Sequence, residues 1–471
     1  MAGATREIPT ELGTKDVGKL LKQYAMPAII AQIAASLYNM VDSIYIGHLP
    51  GGAGADAISG LAITFPLMNL STAFGTLVGA GAATMISILL GQKHYHMGNK
   101  VLGNVVSLNI IIGLLFMAGT LFYIDPILTF FGASAKTLPY AKDYISIILY
   151  GNVITHLYFG LNAAMRSSGN PKKAMGLTIF TVIFNAILDP IFIFWLDMGI
   201  AGAAWATVIA QVAAMLIVMH HFNNQNRAIH FEKGIFRLNW NVAKKSLVIG
   251  TGPFLMNLAA CVVTLFINQQ LRDFSGTIDE GDTYIGAYGI CNRIIFIFIM
   301  ICMGLNQGMQ PIAGYNYGAK LYSRVKDVFW KTAKIAMITT TVCFLIGMFI
   351  PELACGIFTT DEDLLNISAR GMRLNTLMFP IVGLQMIGTN FFQSLGLVKK
   401  SIILSLSRQL LMLLPLLYTL PQWIGTDGVW LSFPISDLLS TILTVILLRR
   451  LFKKFNTLHD GDSANSLDGQ L

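Results

Sequence analysis

Three carboxylates stand inside long apolar stretches of this 471-residue chain: Asp42, Asp189 and Asp437. A charged carboxylate at the centre of a bilayer costs about 2.5–3.5 kcal/mol on insertion scales, so each one needs a partner or a task. Tyr38 precedes Asp42 by four residues and Asn185 precedes Asp189 by four, a spacing that stacks each pair on one helix face. Pro190 follows Asp189; lacking an N–H, it frees the carbonyl of Ala186 and kinks its helix. With a rise of 1.5 Å per residue, Asp42 lies about 27 Å and Asp189 about 24 Å from the basic ends of their helices. Thr207, descending on the next segment, falls near the same level. Two carboxylates sharing a low-dielectric pocket do not both ionise cheaply. Such a pair takes up a proton or, with both acids ionised, holds a sodium ion. The plainer alternative is that these side chains satisfy a broken helix and glue neighbouring helices together.

The elements that must position these residues are apolar and long. The chain is 54% hydrophobic and only 12% charged, half the charge of an ordinary soluble domain, with a mean hydropathy of +0.63. Twelve windows are long enough to span a bilayer core: 24–46, 57–90, 101–123, 139–164, 173–196, 201–221, 246–271, 283–315, 328–350, 364–394, 401–420 and 428–450. Lipid cannot satisfy open backbone donors and acceptors, so all twelve are expected as helices. The first 20 residues are polar and nothing resembles a cleaved signal peptide. Lys and Arg collect on alternate connectors, among them Lys93, Lys172, Lys173, Lys320, Lys399 and Lys400. Bias on every second connector is a topology signal rather than a nucleic-acid surface, and it places both termini in the cytoplasm.

The second half repeats the first at an offset of 226–227 residues: Pro27 recurs as Pro253, Gly91 as Gly318, Lys93 as Lys320, Gly169 as Gly396 and Gly202 as Gly428. The expected organisation is a polar segment 1–20, an N-lobe 21–222, a linker 223–245, a C-lobe 246–455 and a disordered tail 456–471. Six helices return the chain to its starting side, so the pseudo-symmetry axis runs along the membrane normal. The acids do not repeat. Asp42 becomes Asn268, Asn185 becomes Leu411, Asp189 falls at Pro415 and Thr207 at Phe433. Structural glue would recur in both halves, whereas a cation site need occur only once.

Other chemistry is thin. Cys261, Cys291, Cys302, Cys343 and Cys355 are scattered without metal-type spacing and read as packing residues. His94 and His96 share a polar turn with Lys93 and are expected to solvate it. Gly79-Ala80-Gly81 lacks the strand context of a nucleotide loop and fits helix packing. Asp437 has two candidate partners, Arg293 and Arg408, the only cations deep in the apolar segments; an ion pair or a substrate contact are its two readings. Met68, Met256 and Met303 sit on different segments and, with Asp437 and Arg293, form a candidate adaptable surface for flat cations.

Three segments resemble one family. They are Leu37-Tyr-Asn-Met-Val-Asp-Ser-Ile-Tyr-Ile-Gly47, Arg166-Ser-Ser-Gly-Asn-Pro-Lys-Lys173 with Asn185-Ala-Ile-Leu-Asp-Pro-Ile-Phe-Ile-Phe194, and Gly304-Leu-Asn-Gln-Gly-Met-Gln-Pro-Ile-Ala-Gly-Tyr-Asn-Tyr-Gly-Ala319. They are similar to multidrug and toxic compound extrusion (MATE) antiporters, over residues of about 20 to 450. The resemblance implies an all-α integral membrane protein of twelve transmembrane helices in two pseudo-symmetric six-helix bundles, with a central cavity between lobes. It also implies export of cationic amphipathic compounds against protons or sodium, with no cofactor. The family's N-lobe cation site maps onto Asp42, Asn185, Asp189 and Thr207, with Tyr38 beside it. Some relatives bind their ion through acids on segments 7 and 10; here those carry only amides such as Asn257, Asn268, Gln385 and Asn390.

The sequence therefore leads us to expect a secondary antiporter of a bacterial inner membrane, functioning as a monomer, and not an enzyme. Two alternatives accompany it: a lipid-linked oligosaccharide flippase of related fold, which would line its cavity with cations, and an intramembrane aspartyl hydrolase, which leaves the duplication unexplained.

Overall fold

Apolar runs of this length close their backbone hydrogen bonds internally, and the chain is helical nearly throughout, with no β-strand among the described residues. The computed structural model describes residues 9–47, 53–232, 234, 237–276, 278–359 and 361–461; the side chains of 37–44, 47, 53–56, 58, 278, 279 and 282 lie outside that description. In the first half the helices are α1 (Glu11–Thr14), α2 (Val17–Gly47), α3 (Ala53–Gly91), α4 (Tyr95–Phe122), α5 (Ile124–Phe130), α6 (Leu138–Tyr150), α7 (Asn152–Ser167), α8 (Pro171–Pro190) and α9 (Gly199–Phe222). The second half contains α10 (Trp240–Asp273), α11 (Ile278–Gly318), α12 (Tyr322–Phe349), α13 (Pro351–Gly356), α14 (Glu362–Asn375), α15 (Phe379–Ser394), α16 (Val398–Leu406), α17 (Leu414–Ile424) and α18 (Thr426–Asn456). Among the described residues nine helical spans, and a tenth made of α6 and α7, are long and apolar enough to cross a membrane. Helix α2 and the pair α14–α15 complete the twelve.

Several expected single helices are broken, and each break has a local cause. The 139–164 window divides at Gly151, where α6 and α7 meet at 54°. A Cβ at Gly151 would lie 2.5 Å from Val208 Cγ2, so the bare backbone lets α9 press into the bend. The 364–394 window divides ahead of Pro380, which lacks the N–H that would continue α14 into α15. Pro190 ends α8 in a single π-helical turn over Ile191–Trp195. A second π-helical stretch, Ser407–Leu413, joins α16 to α17. Such wide turns release a carbonyl from the helical ladder and are frequent at functional sites.

The duplication is visible in the backbone itself. Lys93 and Lys320 both adopt left-handed conformations, at φ 60° and 61°, and the pairs Gly169/Gly396 and Gly199/Gly425 share positive φ. Residues with a Cβ resist this region by roughly 1–2 kcal/mol, so the matched lysines mark a turn geometry that both halves keep.

Contacts divide the chain into two units: Met1–Thr14 with Ile30–Phe254, and Lys15–Ile29 with Leu255–Leu471. Two of the three boundaries, after Ile29 and after Phe254, fall within two residues of Pro27 and Pro253, which lie inside continuous helices. Within the first unit a Cβ on Gly81 would sit 1.9 Å from the Ser246 carbonyl oxygen, so the Gly-Ala-Gly stretch of α3 serves helix packing. In the second unit its repeat mate Gly308 meets Ala25 Cα at 2.5 Å on the same measure.

Each half also ends by docking an acid on the start of its third apolar segment. Glu232 accepts from Asn99 Nδ2 (2.5 Å) and contacts His96 Nδ1 (2.8 Å) at the beginning of α4. Asp460 accepts from the Ser323 amide (3.1 Å) and hydroxyl (2.5 Å) at the beginning of α12. Burial pushes the Glu232 carboxyl up, but the Asn99 and His96 hydrogen bonds and the imidazole charges outweigh it and hold it below its usual range. Burial likewise pushes the Asp460 carboxyl up, and the Ser323 hydrogen bonds override it and hold the carboxyl below its usual range. His96 therefore has a specific partner rather than only solvating its turn.

Candidate functional site

Helices α8 and α9 are antiparallel neighbours, and their contact is closest where α8 turns π-helical. Gly202 makes this possible: a Cβ there would stand 2.6 Å from the Phe192 carbonyl oxygen and 2.9 Å from the Ile193 nitrogen. Behind that contact lie Asn185, Asp189 and Thr207, at 1%, 0% and 7% exposure. With its amide turned to suit both neighbours, Asn185 donates to Asp189 Oδ2 at 3.1 Å and accepts the Thr207 amide at 3.0 Å. In the opposite orientation its nitrogen reaches Thr207 Oγ1 at 3.3 Å. The Thr207 hydroxyl itself donates to the Ala203 carbonyl at 3.0 Å, leaving its lone pairs toward the amide.

The outcome is an acid, an amide and a hydroxyl within one hydrogen-bonded cluster, walled by apolar side chains. Ile46, Ile193, Ile200, Ala203, Ala204 and Tyr144 form a buried core around the same ends of α2, α8 and α9. In such surroundings a carboxylate is stabilised by a bound proton or by a cation ligated through oxygen. The structure thus brings together three of the five residues expected at the site. Tyr38 and Asp42 fall on α2, and their side chains lie outside the described residues. Tyr144, 2% exposed in that core, is a neighbour that sequence spacing did not point to; only the α6–α7 bend puts it there.

The five residues expected at a substrate surface meet different surroundings. Met68 packs half-buried against the core cluster of the first unit. Asp437 is 3% exposed and accepts from Arg408 Nε at 2.6 Å, which selects Arg408 over Arg293 as its partner. Arg293 and Met303 are exposed on α11, and Met256 is half-buried on α10. The Arg408–Asp437 pair is built into the second π-helical stretch: Ser436 Oγ donates at 2.7 Å to the Arg408 carbonyl that the wide turn leaves open. All five cysteines are free.

Comparison with known proteins places the chain in a family. The family described as MatE matches the chain twice, over residues 27–191 and 254–419. The multidrug export protein MepA of Staphylococcus aureus (strain MSSA476) is 28% identical over 436 residues, which cover 92% of this chain and 94% of MepA. The solved structure of the MATE multidrug transporter DinF-BH in complex with R6G is 34% identical, covers 94% of this chain and 98% of its own, and superimposes with a TM-score of 0.85. An outward-facing multidrug resistance MATE family transporter of the MOP superfamily, 22% identical, shares the fold with a TM-score of 0.87 over 95% of this chain and 98% of its own.

Proposed function

We infer the function from a family assignment that is plain: the chain belongs to the MatE family. It is a multi-pass membrane transporter, not an enzyme, and works as a multidrug efflux antiporter. Its cargo is small-molecule drugs. Beyond this we propose that the cargo is cationic and amphipathic and that the exchanged ion is a proton or sodium. The protein is a monomer in a bacterial inner membrane, with both termini in the cytoplasm, where the Lys-rich connectors belong.

The observation that carries the reading is the buried Asn185–Asp189–Thr207 cluster. We assign the coupling ion to it, together with Asp42 and Tyr38. A buried carboxylate hydrogen-bonded to an amide within an apolar core can seat a mobile cation. Drug and ion drive a cycle of alternating access only if each favours a different state by several kcal/mol. Entry of the ion from outside neutralises the cluster, alters α2 and weakens drug binding; release of the ion to the cytoplasm restores it.

Asp42→Asn and Asp189→Asn test this. Ethidium efflux from cells that carry either variant at wild-type expression is expected to fall to background. Undiminished efflux would reject the site. Purified protein in vesicles, given a pH gradient or a sodium gradient separately, distinguishes the two ions.

A further inference from the structure

Below the Asn185–Asp189 pair the same face of α8 continues polar. Thr181 lies one turn under Asn185, and Thr178 nearly one turn under Thr181. Opposite them α7 presents Tyr158 and Asn162, 3% and 7% exposed. Thr181 Oγ1 approaches Tyr158 Oη at 3.5 Å, its hydroxyl proton shared with the Leu177 carbonyl at 2.8 Å. Tyr158 Oη donates to Thr178 Oγ1 at 3.4 Å, and Thr178 Oγ1 donates to the Ala174 carbonyl at 3.2 Å. Asn162 Nδ2 donates to both Tyr158 Oη (3.3 Å) and Thr178 Oγ1 (3.1 Å), while its Oδ1 is buried with no donor.

The three hydroxyls satisfy one another and nearby carbonyls, but the Asn162 amide oxygen is left over. A buried amide oxygen without a donor is a cost that packing glue avoids. The repeat offers a control. At an offset of 227, Thr181 corresponds to Arg408, Tyr158 to Gln385, Asn162 to Thr389 and Thr178 to Ser405. There the guanidinium turns to Asp437, and Gln385 donates to Thr389 along its own helix at 3.3 Å. Among the described residues no such hydroxyl chain joins the corresponding helices of the second half.

We propose that Thr181, Tyr158, Thr178 and Asn162 form the route by which a proton leaves the Asp189 site for the cytoplasmic end of the N-terminal half. The coupling ion is accordingly a proton. This rests on the antiport reading above and specifies its ion. The Asp189 carboxyl O–H breaks, and its proton crosses the two helical turns to Thr181, a rise of about 12 Å, along a file of at least two waters, the last of which donates to the Thr181 hydroxyl. Each hydroxyl then accepts a proton on its lone pair and gives its own to the next; Thr178 turns its O–H from the Ala174 carbonyl to a water at the cytoplasmic end, which carries one proton to bulk. The oxygens follow one another toward that end, Thr181 to Tyr158 at 3.5 Å and Tyr158 to Thr178 at 3.4 Å, and the threonine hydroxyls must swing from their backbone carbonyls to close the chain. Arg166, one turn beyond Asn162 with a buried and unpartnered Nε, sets a positive charge at the exit. It repels a hydrated metal cation, whereas a proton handed to solvent need not pass it as an ion.

The test is ethidium exchange by purified protein in vesicles under an imposed pH gradient, with Thr181→Val, Thr181→Ser, Tyr158→Phe and Asp189→Asn beside the wild type. Thr181→Val and Tyr158→Phe are expected to slow turnover on the order of tenfold or more, with ethidium affinity within about twofold of wild type. Thr181→Ser, which restores only the hydroxyl, should recover the rate, which a purely volumetric role would not predict. A monodisperse elution profile and retained ethidium binding establish folding, and the near-isosteric Thr181→Val stands alone if Tyr158→Phe fails to fold. Wild-type turnover in Thr181→Val, with Asp189→Asn inactive, overturns the route and leaves the antiport reading intact. Wild-type exchange driven by a sodium gradient and indifferent to pH overturns the proton assignment. Exchange driven by neither gradient, or a fully active Asp189→Asn, rejects the antiport reading itself.

Discussion

The two halves place polar groups between their fifth and sixth apolar segments, and they do so with opposite electrostatics. In the first half Asp189 is bonded to a neutral amide, which leans on a threonine. In the second, Asp437 is bonded to Arg408, and Ser436 closes the open carbonyl behind it. A buried acid whose charge is cancelled by a fixed guanidinium has no use for a mobile ion, and its ion pair is a matter of structure. The other buried acid is bonded to a neutral amide, and it is the one we propose takes a mobile ion. Under the proposed function, one scaffold used twice supplies a rigid joint in one half and an ion site in the other.

The contrast breaks most easily by exchange of roles. Asp189→Asn is expected to lower efflux at least about 100-fold while leaving the thermal midpoint near wild type, because an amide replaces an acid that costs energy to bury. The double change Arg408→Leu with Asp437→Leu should keep most efflux, since replacing a whole buried pair with apolar groups is often neutral. If the double variant loses transport as fully as Asp189→Asn, the assignment of the second pair to structure is wrong.

Removing only one member of that pair sharpens the point. Arg408→Ala leaves Asp437 buried and charged, and should destabilise the protein by about 3–5 kcal/mol. Thermal unfolding in detergent would register this, and Arg408→Leu/Asp437→Leu should recover most of it. A smaller effect is expected at the matched close approaches. Gly202→Ala and Gly428→Ala would push a Cβ to 2.6 Å and 2.5 Å from facing backbone atoms, costing about 1–3 kcal/mol each. Stability should fall in both, but only Gly202→Ala should also weaken the dependence of efflux on the ion gradient.

The smallest expected effect concerns the docked acids. Glu232 titrates below its ordinary value of 4.5 in the folded protein, so its contribution is present above that value and lost as pH falls through the folded one. Glu232→Gln should lower the thermal midpoint by a few degrees at most near neutrality. The difference from wild type should vanish under acid conditions; one that grows as pH falls would contradict the direction of the shift.

Much of this was legible in the chain because membrane helices obey few rules. Apolar length, basic connectors and the repeat of Lys93 as Lys320 expose the segments without reference to contacts. Asp189 stands out because a carboxylate in an apolar run is rare and Pro190 follows it. What the chain conceals is anything decided by three-dimensional approach. The bend at Gly151 depends on Val208 arriving from another helix, and no local pattern marks it. Tyr158 and Thr181 are ordinary residues on partly apolar helices until α7 and α8 set them opposite each other. Asp437 showed two possible cations in the sequence, and only the π-helical turn before α17 aims Arg408 at it. Likewise Glu232 reads as one more charge in a polar linker until Asn99 and His96 are seen to hold it.

The central claim is that the N-terminal cluster exchanges its cation against drug. Linkage requires that, if they compete, each weakens the other's affinity by the same factor. The most direct measurement is therefore ethidium affinity of the purified protein, titrated across proton and sodium concentrations, for the wild type and Asp189→Asn. Wild-type affinity should fall as the coupling cation rises, and Asp189→Asn should bind with an affinity indifferent to it. A variant that keeps the full wild-type dependence would contradict the account.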